Sequence, residues 1–106
     1  MKIDVNRRAF VLANRTGGLS GHAVHPVAVR MVYQAAQAVS IPVIGMGGFA
    51  SAEDALEMIM AGATAVAVGT MNFHDPGIMG RIIDGIGQYM IHNNVGDISE
   101  LIGCVR

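Results

Sequence analysis

Residues 41–70 read IPVIGMGGFASAEDALEMIMAGATAVAVGT. The first six, IPVIGM, are apolar on both faces, as in a short strand of a parallel sheet covered on both sides. Gly47 and Gly48 end that strand. Ser51 and Asp54 follow at capping-box spacing, with Asp in place of the usual Glu. The helix they open runs to about Ala61, and Ala52, Ala55, Leu56, Ile59 and Met60 form its apolar stripe. Gly62 suits the position just past a helix end. Residues 64–68, TAVAV, repeat the buried-strand pattern and stop at Gly69 and Thr70. Strand, helix and strand, each strand closed by glycine, make the repeating unit of a parallel α/β sheet.

Upstream, residues 24–39 predict another helix, with Pro26 in the first turn, where its missing N–H costs nothing. Its stripe is Ala28, Met31, Val32, Ala35, Ala36 and Val39. Residues 15–22, RTGGLSGH, are a loop. Residues 1–14 begin polar and turn apolar at 9–13, which suits an edge strand or an ordered connection. Downstream, residues 71–77 are a loop whose 72–76 portion can supply a short helix. A helix over 78–92 follows, with Ile78, Ile82, Ile83, Ile86 and Met90 as its stripe. Gly80, Gly85 and Gly87 weaken it. Asp97 and Glu100 repeat the capping pattern before a short helix over 98–102.

Composition narrows the class. The chain has 106 residues, 52% of them hydrophobic and 14% charged, with a net charge of -1. That is too apolar for a disordered segment and too neutral for a nucleic-acid-binding domain. An average soluble domain has about 25% charged residues. No apolar run approaches the ~18 residues that span a bilayer. The start MKIDVNRR lacks the apolar core of a signal peptide. The single cysteine, Cys104, fits a reducing compartment, so the expected location is cytoplasmic, with no membrane and no nucleic-acid partner.

The excess of apolar residues needs a cause. Two parallel strands buried on both faces do not make a stable sheet alone. Both would be edges with open hydrogen-bonding groups. The expected architecture is therefore the C-terminal part of a (β/α)8 TIM barrel, its last two to three βα units. Residues 1–106 would form one partial domain, and the open edges would drive self-association into a homo-oligomer.

Three glycine turns lie where an anion can be held: 17–21 (GGLSG), 45–48 (GMGG) and 69–70 (GT). Glycine lets backbone N–H groups approach a phosphate without a Cβ in the way. In (β/α)8 barrels a phosphate often sits between the loops after strands 7 and 8. Any one of these turns could be only a tight turn; the three together favour a phosphate site. Neither a GxGxxG fingerprint nor a P-loop lysine is present, which disfavours a Rossmann site or an NTPase.

At these residues the chain resembles a known family. ANRTGGLSG (13–21), the 41–70 stretch and DISELIG (97–103) resemble the C-terminal third of dihydroorotate dehydrogenase, most closely the catalytic subunit of its class 1B, NAD-linked type. The resemblance implies a flavin oxidoreductase that oxidises dihydroorotate to orotate in pyrimidine synthesis. It implies FMN as cofactor, with Gly21, Gly47, Gly48, Gly69 and Thr70 around it. A partner electron-transfer subunit would carry FAD and an iron–sulfur cluster. The family's cysteine base, flavin-contacting lysine and most substrate asparagines match no position among these residues, and Cys104 does not match the base. No catalytic residue is assigned, and the chain alone is expected to be inactive.

The remaining polar residues support bland readings. His22 and His25 are three apart, but a zinc site needs more ligands, and no metal site is assigned. The family commonly has Pro and Lys near these two positions. His74 suits a solvated loop and His92 a helix C-terminus. Arg7 and Arg8 suit a solvated pair. The eight methionines read as adaptable core. Glu53, Asp54, Asp84 and Glu100 fit caps and solvated faces. Two other readings stay open: a non-catalytic half-barrel that binds phosphate or self-associates, and a piece of another phosphate-binding barrel, such as a tRNA-dihydrouridine synthase or a histidine-pathway isomerase.

Overall fold

The computed structural model describes residues 1–105. Residues 1–14 form a hairpin rather than one edge strand. β1 (Ile3–Asp4) pairs antiparallel with β2 (Ala9–Phe10), setting Ile3 opposite Phe10. Asp4 Oδ1 accepts from the N–H groups of Asn6 and Arg7, each at 3.0 Å, and so shapes the turn. The hairpin leaves Ile3, Val5, Phe10 and Val11 exposed.

A 3-10 turn (His22–Val24) leads into α1 (His25–Ala38), which carries Pro26 in its first turn. β3 (Ile44–Met46) is shorter than its apolar run. Pro42 has no N–H to give a ladder, so pairing begins beyond it. α2 (Ala52–Met60) opens as the spacing predicts, with Ser51 Oγ accepting from the Asp54 N–H at 3.1 Å. Gly62 leaves it at φ 121°. β4 (Ala65–Ala67), α3 (Met71–His74) and α4 (Ile78–His92) follow. The last short helix is a 3-10 turn (Ile98–Leu101) closed by the full Asp97–Glu100 capping box.

β3 and β4 run parallel, with Ile44 beside Ala65, Gly45 beside Val66 and Met46 beside Ala67. α2 touches both α1 and α4. The main core joins Ala28 and Val32 of α1, Phe49 of the turn after β3, Ala55 and Met58 of α2, and Ile78 and Ile82 of α4. Met58 is fully buried. A second cluster seats Leu101 on Leu56 and Ile59.

Coverage of the sheet is one-sided, as an incomplete barrel would leave it. Side chains alternate across a strand. Gly45 faces α2, where an added Cβ would meet Met58 at 3.2 Å. Its neighbours Ile44 and Met46 are 64% and 61% exposed on the other face. Among the described residues nothing packs over them. Met31 and Ile83 also leave their expected stripes for solvent, since the cores of α1 and α4 follow Ala28–Val32 and Ile78–Ile82. The methionines divide accordingly: Met58 is core, while Met31 and Met46 are exposed. The Cα radius of gyration is 16.6 Å. A compact domain of this length has about 13 Å. The apolar excess is thus surface left without partners.

The three glycines of α4 are not equivalent. A Cβ on Gly85 would collide with the Ala52 Cβ, so Gly85 lets α4 approach α2. Gly80 and Gly87 face open space. Gly80→Ala should raise stability by about 1 kcal/mol through helix propensity. Gly85→Ala should lower it despite the same propensity gain. Urea unfolding of the two variants checks the contrast.

Candidate functional site

One cavity, about 740 Å³, is lined by residues from the 19–22 loop, α1, β3 with its preceding Val43, the 46–50 loop and the 67–74 segment. That volume suits a small-molecule site. All five residues singled out from the sequence, Gly21, Gly47, Gly48, Gly69 and Thr70, line it. His74 lines it too, although its side chain is exposed. Val24, Val27, Ala28, Met31 and Val32 supply the apolar wall.

Two glycine loops meet backbone to backbone. Gly48 has φ 70°, in the left-handed region. A Cβ there would stand 2.5 Å from the Gly21 carbonyl oxygen and 2.8 Å from the His25 nitrogen. The 45–48 turn therefore closes against the 17–21 turn only with glycine. Gly69 and Thr70 approach from the end of β4. Among the described residues no acceptor is found for the N–H groups of Gly48, Phe49, Gly69 or Thr70. Free amides at a concave, largely apolar wall suit an anionic group.

The two histidines are not a loosely solvated pair. His25 is 4% exposed. Its Nδ1–H donates to the Gly47 carbonyl at 3.0 Å, and its Nε2–H donates to Glu57 Oε2 at 3.1 Å. His22 Nδ1–H donates to the next carbonyl, Gly48, at 3.0 Å. The rings are stacked at a 6.0 Å centroid distance, and Phe49 meets His25 edge-on. Sequence reasoning weighed these histidines as metal ligands and missed this role. The available signal was a matched spacing: His22 and His25, like Asp54 and Glu57, stand three apart.

Asp54 does more than cap α2. Its Oδ2 accepts from the Ala50 N–H at 3.0 Å, and its Oδ1 lies 3.8 Å from His25 Nε2. Burial pushes its carboxyl up. The bonds from Ala50 and Ser51, with the nearby His25 and His22, outweigh burial and hold it below the ordinary aspartate value. Among the described residues no cluster of three or more such side chains could hold a metal ion, and no helix is long and apolar enough to cross a membrane. Cys104 is exposed and stands apart from the cavity lining.

Comparison with known proteins places the chain in a family. The family described as dihydroorotate dehydrogenase matches residues 1–90. This chain belongs to the dihydroorotate dehydrogenase family. It is 62% identical over 106 residues to the dihydroorotate dehydrogenase B (NAD(+)) catalytic subunit of Lachnoclostridium phytofermentans, and 57% identical to that of Geobacter metallireducens. In each case it spans all of this chain and 35% of the relative. Among solved structures, the DHODH of Eimeria tenella in complex with ferulenol superposes with a TM-score of 0.77 at 25% identity. That match covers 89% of this chain and 26% of the other. A dihydroorotate dehydrogenase family member thus has the α/β layout expected, here without a closed barrel.

The Asp54 carboxylate gives an acid-side prediction. Its folded value lies below its unfolded one, so the unfolded chain binds the extra proton. The stability it contributes is present above the unfolded value and is lost as pH falls through the folded one. Asp54→Asn should therefore flatten the loss of stability between about pH 5 and pH 3. Unfolding midpoints of both proteins across that range measure it.

Proposed function

We propose that the chain is the C-terminal, FMN-phosphate-binding part of a dihydroorotate dehydrogenase of the NAD-linked type, one partial domain made of the last two to three βα units of a (β/α)8 barrel. The observation that carries this is the convergence of Gly21, Gly47, Gly48, Gly69 and Thr70, from three separate turns, on one cavity. The free amides of Gly48, Phe49, Gly69 and Thr70 and the Cβ-free cradle at Gly48 fit a phosphate. The apolar wall of Val24, Ala28 and Met31 suits a flat, largely apolar ring system.

Bound FMN would supply the acceptor for the hydride that dihydroorotate loses on becoming orotate. This chain's residues bind and orient. The amides hold the phosphate, and α1 and the 46–50 loop wall one side from water. Cys104 stands outside the cavity and is not assigned as the base that takes the proton. In the class 1B type the electrons pass onward through the subunit with FAD and an iron–sulfur cluster. Cytoplasmic location belongs to the same reading. The bare face at Ile44 and Met46 favours a homo-oligomer of the isolated chain, and also keeps the non-redox, self-associating half-barrel as the second reading.

FMN titration separates them. Quenching of flavin fluorescence by the purified chain, weakened about tenfold or more in Gly48→Ala, is expected. Unchanged fluorescence would leave the half-barrel reading. Dihydroorotate-dependent dye reduction by the chain alone should be undetectable. Light scattering should give a mass above the 11.1 kDa of one chain.

A further inference from the structure

The Gly47–Gly48–Phe49 backbone is held by two side chains that the flavin-site reading does not use. His25 donates to the Gly47 carbonyl and His22 to the Gly48 carbonyl, both at 3.0 Å. No peptide bond in the described chain is cis. In a planar trans peptide the N–H points opposite to the C=O of the same unit. Holding the Gly47 carbonyl therefore aims the Gly48 N–H, and holding the Gly48 carbonyl aims the Phe49 N–H. These are two of the amides without an acceptor.

The geometry points to His22 and His25 as paired positioning residues that aim the Gly48 and Phe49 amides at a phosphate. The inference rests on the proposed phosphate site and adds the device that pre-orients it. Glycines alone are a poor cradle, because left-handed and extended conformations are both open to them. At φ 140° and 70°, Gly47 and Gly48 need an outside restraint to hold two N–H groups on one target. The restraint is anchored on α2: Glu57 Oε2 takes the far nitrogen of His25 at 3.1 Å, and Asp54 stands 3.8 Å from it. His22 is restrained in turn by stacking on His25. The rings sit on the carbonyl side of each peptide; His25 stands outside the cavity lining, while His22 is part of it. They act through the backbone.

The test separates aiming from folding. FMN and riboflavin share the ring system and differ by the phosphate. His22→Ala, whose side chain is 74% exposed in the parent, should fold normally. It should weaken FMN binding several-fold with riboflavin binding unchanged. His25→Gln, which keeps a donor for Gly47, should lose less FMN affinity than His25→Ala, whose loss should be about tenfold, the worth of one well-placed hydrogen bond. Equal losses for FMN and riboflavin would mean a structural role only and overturn the inference. Inorganic phosphate provides a probe independent of flavin. In 15N spectra of the chain it should shift the Gly48 and Phe49 amides, and less so in His22→Ala. If FMN does not bind but phosphate moves those amides, the flavin reading fails and the aiming role stands. If phosphate moves neither amide in the parent chain, the aiming role is wrong.

Discussion

Gly48 and Gly21 meet backbone to backbone, with the Gly21 carbonyl and the start of α1 in the space a Cβ at position 48 would need. That approach brings two distant turns to one wall and places the N-terminus of α1 beside the end of β3. The cavity exists because the turns close there. His25 is buried for the same reason, since the closing turn covers it and presents the Gly47 carbonyl as a partner. Glu57 takes the other nitrogen, so the contact ties α1, the β3 turn and α2 into one unit. A buried polar ring is tolerated only when its nitrogens are bonded, and both are.

The packing around this point is efficient where partners exist and absent where they do not. α2 is the centre, with Met58 fully buried and α1 and α4 on its flanks. Gly85 narrows the gap between α2 and α4. Beyond these helices the sheet has only two strands and one covered face. Ile44 and Met46 lie bare on the other face, and the hairpin of β1 and β2 leaves Ile3 and Phe10 in solvent. The chain spans about a third of the length of its curated relatives, and the uncovered faces have the composition of interior surface.

Much of this was legible in the residues. The helices expected over about 24–39, from Ser51 to about Ala61 and over 78–92, the two strands and the caps at Ser51 and Asp97 followed from periodicity and local hydrogen bonding, which act over a few residues. Gly21, Gly47, Gly48, Gly69 and Thr70 could be named because strand ends and glycine turns are local signals. Exposure was not legible. Met31, Ile44 and Ile83 have apolar side chains at apolar periods, and nothing local tells whether a partner covers them.

The sequence by itself determined the order of the elements from α1 onward, the parallel pairing of two glycine-closed strands and the kinship with dihydroorotate dehydrogenases. Tertiary structure alone decided what His22 and His25 do. Their partners, two carbonyls and a carboxylate, lie 22 to 32 residues away along the chain, and only folding brings them within 3.1 Å. A histidine's role depends on what faces each ring nitrogen, and that is set by long-range contacts rather than by its neighbours in sequence.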